Sequence, residues 1–403
     1  MSIRWLLKLV GVVVGVVFAI VIIALVGVYW KHEMAVELPL PTGPFSVART
    51  SFEWEDAHRL DLYAQNKDEL RKLFVWVWYP SESGQKEKAN YIPDDWAAAW
   101  RSEQGLFRIL FQDPQRVQTN SRKNGRLAAG APFPVIVFFP GFGHIVTDYT
   151  AIIEDLVSHG YVVFAPTPTY SASVVVFSDG RIASQKKGIL SEDDKSPEEY
   201  IASSRPLREQ WDADEQFAID QIQHLNNTPG NMFSGQLDLT EIGLAGHSLG
   251  GATALEVCRL DSRCQAAADL DGDTLGATLS STKPFIVLWG GGAEKSNSND
   301  DPLWKLAYNS IIDAAKVSQA DVYILNVRGA HHFNFSDMDI GFYSVMRYLG
   351  ALGPIAPGKT TEITRAYLVA FFDSYLKGRP KRFLVDQTPF QEVTFSWRER
   401  KQF

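Results

Sequence analysis

Residues 246–251 read Gly-His-Ser-Leu-Gly-Gly. A serine framed by glycines two positions to either side is the signature of a nucleophile presented on a sharp strand-to-helix turn. Apolar Ile242–Ala245 precedes it and the alanine-bearing run Ala252–Arg259 follows, so the sequence predicts the required strand, turn and helix. Such a turn lifts Ser248 Oγ above the sheet edge. It also leaves the Leu249 N–H at a helix N-terminus, where developing negative charge is favoured. A second donor is expected from the loop after an earlier strand. Phe139-Pro140-Gly141-Phe142-Gly143-His144 suits that role, with the Phe142 N–H as the candidate. The serine needs a base, and the only histidines after residue 247 are His331 and His332. One of the pair is the base; His332 is preferred, with His331 its neighbour. The base needs a carboxylate to orient it. Asp269, Asp271 and Asp273 cluster after one apolar run, and Glu294, Asp300 and Asp301 lie after the next. Asp271, at a strand tip, is preferred over Asp273 and Glu294. His144 precedes the nucleophile and reads as structural or substrate-facing. The chemistry this set could perform is acyl transfer through a covalent acyl-enzyme.

The elements that would hold these groups are legible as alternating apolar runs and amphipathic stretches. Lys72–Tyr79, Pro134–Phe139, Tyr161–Ala165, Ile242–Ala245, Ala266–Leu270, Pro284–Trp289 and Val322–Val327 read as strands, several of them continuously apolar as expected of strands buried on both faces. Asp94–Phe111, Thr150–His159, Glu209–Leu225, Ala252–Arg259 and Ile363–Lys377 read as helices. The alternation predicts an α/β fold with a mostly parallel central sheet covered on both faces. Ser171–Arg205 reads as an excursion beside the site, Asn120–Gly130 as a basic loop, and Pro39–Pro44 as a short stiff linker.

The N-terminus sets a different constraint. Leu9–Trp30 is 22 residues without a charge, about 33 Å as a helix, enough to cross a hydrocarbon core. Arg4 and Lys8 precede it, and Val28-Tyr29-Trp30-Lys31 is no small-residue cleavage site. The expectation is an uncleaved single-pass anchor over residues 1–33, with the N-terminus cytoplasmic and residues 34–403 forming a catalytic domain outside the cytoplasm. Gly11 and Gly15 make a GxxxG, a weak signal for packing two such helices. The chain has 39 basic and 47 acidic residues, net −8; residues 1–33 hold three of the basic and one of the acidic, which leaves the body at −10. A body this acidic, without a basic cluster, argues against nucleic acid as a partner.

Five segments together resemble the lipoprotein-associated, plasma-type platelet-activating-factor acetylhydrolases and their bacterial relatives, serine α/β-hydrolases related to dienelactone hydrolases and polyesterases. They are residues 73–81 (LFVWVWYPS), 135–166, 246–256 (GHSLGGATALE), 267–272 (AADLDG) and 327–337 (VRGAHHFNFSD). The resemblance implies an α/β-hydrolase fold, with residues near 81–133 and 171–205 as insertions. It implies that the triad acid lies in the Leu270-Asp271 pair, that the base is His332 before Phe333-Asn334, and that Phe142 and Leu249 supply the oxyanion donors. It also implies an ester or phospholipid substrate with a short or oxidised acyl chain, and no cofactor. Cys258 and Cys264, with five residues between them, lie between the elbow helix and the acid strand and could form a disulfide in an exported body; neither sits at metal-ligand spacing, and no metal is expected. Two rivals remain at this stage. One is a broad esterase or polyesterase. The other is an inactive hydrolase fold serving as a tethered binding module, which the complete Ser248, Asp271 and His332 set disfavours.

Overall fold

A computed structural model describes residues 3–84, 87–190, 196–274, 281–291, 302–341, 343–385 and 388–398. Its centre is a sheet ordered β1-β5-β2-β3-β7-β6-β10-β11-β12-β13-β14. These strands span β1 Val36–Glu37, β2 Ser46–Leu60, β3 Leu70–Ser81, β5 Val117–Lys123, β6 Phe133–Phe139, β7 Val162–Thr167, β10 Leu237–His247, β11 Cys264–Leu270, β12 Phe285–Gly290, β13 Val322–Val327 and β14 Val393–Arg398. Strand β4 (Lys88–Asn90) pairs with β5, and β8 (Val174–Val176) with β9 (Ile182–Ser184) form a separate hairpin. From β7 through β6, β10, β11 and β12 to β13 every pairing is parallel. The run is closed on either side by antiparallel neighbours, β3 and β14.

The parallel strands are apolar end to end because helices cover both faces. On one face, α3 (Thr150–Ser158) and α7 (Lys359–Leu376) pack through Ile152, Leu156, Leu368 and Phe372 onto Ile136, Phe138, Ala268 and Leu288. On the other, α4 (Pro197–Asn227), α5 (Leu249–Leu260) and α6 (Pro302–Val317) bring Trp211, Ile219, Leu255 and Ile311 against Val135, Val137, Leu244 and Val287. At about 25 cal/mol per Å² of apolar surface buried, two such layers supply the main folding term. They also make the sheet edge a rigid ledge.

The structure corrects several sequence expectations. The Ser171–Arg205 excursion ends at Ser196, and the helix expected from Glu209 starts at Pro197. Ser196 Oγ accepts from the Glu199 N–H at 3.2 Å, and the Glu199 carboxylate accepts from the Ser196 N–H at 3.1 Å, a reciprocal cap with proline at the first helical position. Polar Ser203–Arg205 and the internal Pro206 hid the early turns. Asn120–Gly130 is likewise not loop throughout, since its first residues belong to β5. Pro39–Pro44 is no free linker. The Thr42 and Gly43 N–H groups donate to Asp155 Oδ1 (2.7 Å) and Ser158 Oγ (2.9 Å), and Arg365 Nη2 donates to the Leu40 carbonyl at 2.6 Å.

Ahead of the sheet runs α1 (Ile3–Glu33), a helix long and apolar enough to cross a membrane by length and composition, with the side chains of its apolar run largely exposed and His32 at its end buried. Helix α2 (Asp94–Gln104) is shorter than the helix expected over residues 94–111: Gly105, at φ 53°, ends it, and a 3-10 turn continues to Leu110.

Candidate active site

The turn from β10 to α5 brings Ser248 to the sheet edge with φ 55° and ψ −124°, a strained conformation for a residue carrying a Cβ, at a cost of about 1–3 kcal/mol. Close packing enforces it. A Cβ on Gly246 would lie 2.3 Å from the Gly250 backbone, and one on Gly250 would lie 2.4 Å from the Pro140 carbonyl oxygen. The second approach presses the loop after β6, which holds Phe142, against the start of α5, which holds Leu249. Neither of their N–H groups has an acceptor among the described residues. The Ser248 N–H itself donates to the Leu270 carbonyl at 2.8 Å, tying the elbow to β11.

Asp271 follows Leu270 at the tip of β11, also at φ 55°. Its N–H donates to the Leu288 carbonyl (2.8 Å), and its Oδ1 accepts from the Gly290 N–H at 2.7 Å. One carboxylate oxygen is thereby held by the next strand, while the other, Oδ2, lies 2.7 Å from His332 Nδ1. His332 Nε2 is 3.0 Å from Ser248 Oγ. His331 turns away, its Nδ1 3.2 Å from the Gly350 carbonyl oxygen. The other aspartates are engaged elsewhere. Asp273 pairs with Arg208 at 2.6 Å. Asp269 is buried, its Oδ1 accepting from the Gly272 N–H, and desolvation holds its carboxyl well above the usual range. Glu294, Asp300 and Asp301 lie outside the described residues.

Three residues that support this geometry went unread in the sequence. His247 is fully buried behind the serine, with Nε2 3.0 Å from the His332 carbonyl oxygen and Nδ1 2.8 Å from Tyr149 Oη. A carbonyl only accepts, so Nε2 carries the hydrogen and Nδ1 accepts from the tyrosine hydroxyl. Tyr149 Oη in turn accepts from the Gly141 N–H at 3.0 Å, linking the oxyanion loop, the elbow and the base loop. Asn334 Oδ1 accepts from the His331 and Gly353 N–H groups, both at 2.8 Å, and its Nδ2 donates to Asp339. The only sequence signal was position: His247 stands beside the nucleophile and Asn334 two residues after the base.

Burial, then the neighbouring His332 and His144, push the His247 imidazole well below its ordinary value of 6.5. The folded chain therefore holds it neutral, while the unfolded chain takes up a proton as pH falls past that value. This contribution to stability is present above pH 6.5 and is lost as pH falls toward the depressed folded value. Between about pH 7.5 and about pH 5.5 the melting temperature of His247→Gln should fall less than that of the wild type. Equal falls in a pair of thermal scans would remove His247 as a titrating support.

Cys258, in α5, and Cys264, which opens β11, are joined by a disulfide with their Cα atoms 5.0 Å apart. It fastens the elbow helix to the strand that presents Asp271. Among the described residues one group of potential metal ligands converges, His32, Glu33 and Asp113. Arg116 pairs with Glu33 at 2.7 Å and Arg101 with Asp113 at 2.6 Å, so its charge is already balanced.

This geometry can be set beside known proteins. The model of the family described as platelet-activating factor acetylhydrolase, isoform II, matches residues 31–382. The chain belongs to that family. Curated relatives of this acetylhydrolase-family chain include the guinea pig (Cavia porcellus) platelet-activating factor acetylhydrolase, 24% identical over 377 residues, covering 86% of this chain and 79% of the relative. A probable 1-alkyl-2-acetylglycerophosphocholine esterase from Arthroderma benhamiae is 24% identical over 390 residues, covering 89% and 93%. Among solved structures, a ferulic acid esterase from Streptomyces cinnamoneus superposes with a TM-score of 0.72 at 28% identity, over 90% of this chain and all of the esterase. The acetylhydrolase-family chain is thus a carboxylic ester hydrolase with an α/β-hydrolase fold, as the sequence resemblance implied.

Proposed function

We propose that the protein is a membrane-tethered serine esterase that cleaves short or oxidised acyl esters of lipids. The observation that carries this reading is the unbroken contact chain from Ser248 Oγ through His332 (3.0 Å) to Asp271 Oδ2 (2.7 Å). Ser248 attacks the ester carbonyl as His332 Nε2 takes its proton. The tetrahedral oxyanion is held by the Phe142 and Leu249 N–H groups, the latter at the positive end of α5. Asp271, held by Gly290, fixes the His332 tautomer and stabilises the imidazolium. The proton then goes to the leaving alcohol. Water, activated by the same imidazole, hydrolyses the acyl-enzyme and regenerates the serine.

The lipid assignment is supported by the relatives' names and by α1, whose length and apolar composition suit a membrane span. Arg4 and Lys8 ahead of the apolar run favour a cytoplasmic N-terminus, and the Cys258–Cys264 disulfide suits a body outside the cytoplasm. The ferulic acid esterase likeness favours a second reading, a broad-specificity esterase. A panel of p-nitrophenyl esters, methyl ferulate and phosphatidylcholines with truncated second chains separates the two. The lipid reading expects kcat/KM on the truncated phospholipids at least about tenfold above methyl ferulate, a step of about 1.4 kcal/mol in transition-state binding. The reverse order establishes the broad esterase. Failure of an organophosphate to label Ser248 in a chain that hydrolyses nothing would leave only an inactive binding module.

A further inference from the structure

A cavity of about 470 Å³ adjoins the candidate site, and two parts of the chain that are remote in sequence line it together. Phe142 and Gly143 come from the oxyanion loop, and Phe333 follows His332. Val36, in the strand β1 that follows α1, and Leu38, just after it, come from the segment that leaves α1. Phe111, Val117, Met338 and Met346 complete a largely apolar wall. The volume lies within the range of small-molecule sites.

The segment between α1 and the body is stitched in place. β1 pairs with β5 in parallel, Val36 opposite Val117, and the Leu38 N–H donates to the Gln118 carbonyl at 3.1 Å. Gln112 Nε2 donates to the carbonyls of His32 (2.9 Å) and Met34 (2.6 Å), His32 Nδ1 bonds the Phe111 carbonyl, and Arg116 pairs with Glu33. Gln112 and Phe111 are themselves cavity residues. Three residues from the end of α1 at Glu33 bring the chain to Val36, so the cavity wall lies within about 10 Å of the helix end along the chain. Close to Phe111 and Met346 along the chain, apolar side chains are exposed: Leu106 is 93% and Tyr348 91% exposed. A cavity with this wall, bolted to a bilayer-length apolar helix and flanked by exposed apolar groups, fits a ligand that is itself held in the bilayer.

We propose that this cavity takes the hydrocarbon chain of a lipid ester while the lipid is still seated in the membrane that holds α1, and that the chain's own post-helix segment, Val36–Leu38, forms part of the binding wall. The inference rests on the lipid-ester reading above. It adds the binding site and makes the stalk part of it. The stalk then acts as a chain-length gauge, since widening or filling its side of the cavity alters which chains fit.

The test uses the full chain, as Ser248→Ala, in phosphatidylcholine nanodiscs containing a phosphatidylcholine with a photoactivatable diazirine near the end of one acyl chain. After irradiation, crosslinked peptides are mapped. The expected result is adducts on residues 111–117 and 338–346 as well as on α1. Adding Val117→Trp, or independently Met346→Trp, should reduce the cavity adducts at least about fivefold relative to those on α1. Thermal unfolding of each double variant establishes that it is folded, and two positions guard against one failing to fold. Adducts confined to α1, or cavity adducts that neither tryptophan diminishes, overturn the proposal. Because crosslinking needs no turnover, the two readings fail separately. Cavity adducts absent while the wild type hydrolyses vesicle lipid sink this inference alone. Cavity adducts present while the wild type hydrolyses no ester sink the proposed function and leave a lipid-binding cavity.

Discussion

Ser248→Ala is expected to lower kcat for ester hydrolysis by about 10⁴–10⁶-fold while moving the melting temperature by no more than about 2 °C. The serine is half-buried, and among the described residues its hydroxyl hydrogen-bonds only to the imidazole, so removing it takes away a nucleophile and little packing. Loss of the strain at φ 55° is not expected, because alanine keeps the Cβ that causes it. His332→Ala should cost a comparable factor, and the double variant little more than either, since nucleophile and base act as a unit. Steady-state kinetics on a p-nitrophenyl ester checks all three. A fully active Ser248→Ala chain would remove the covalent mechanism, and an active His332→Ala beside an inactive His331→Ala would move the base by one residue.

Asp271→Asn is the second large effect, a fall in kcat of about 10²–10⁴-fold. The reason lies in what Asp271 Oδ1 and Oδ2 each do. Oδ1 accepts from Gly290, so an asparagine that keeps this bond must turn its NH₂ toward His332 Nδ1. A donor there favours the tautomer with its hydrogen on Nε2, which can no longer accept the serine proton. The loss should be confined to kcat, with KM nearly unchanged, because Asp271 reaches the substrate only through the imidazole. Glu294→Gln should stay near wild type. Activity lost in Glu294→Gln and kept in Asp271→Asn would transfer the acid to the later loop.

The strand positions were legible because β6, β7, β10 to β13 are buried on both faces, and such strands write themselves as short apolar runs. β2 was not read: in Ser46–Leu60 charged and apolar residues mix without strict alternation, as befits a long strand with much of one face in water. The early turns of α4 were hidden by their polarity, and the cap that starts them needs Ser196 and Glu199 to be seen as partners. In the site, the motif residues Ser248 and Leu249 were marked by spacing with glycine. Asp271 and His332 were marked by their place after strands. Tyr149 and His247 were invisible, because their value depends on a pairing across 98 residues that no local pattern encodes. The helix expected over residues 94–111 divides likewise. Trp96 is core, packed on Phe74 and Trp76, whereas Phe111 lines the cavity and Leu106 points to solvent.

The parallel ladder has one more consequence, for how the site comes apart. Ser248 and Asp271 are each bonded through their own amide to the neighbouring strand, by the Leu270 and Leu288 carbonyls. Their separation is therefore a property of the sheet and persists until the sheet is lost. His332 has no such footing. It sits on a one-turn 3-10 segment after β13, braced by the side chains of Asn334 and His247. Local opening of that turn costs a few hydrogen bonds and the burial of Phe335, whereas separating the strands costs the whole core. Heat or acid should thus silence the protein first by letting the base swing out, as a reversible sub-global event, with nucleophile and acid still in register and ready to be re-engaged when the turn closes.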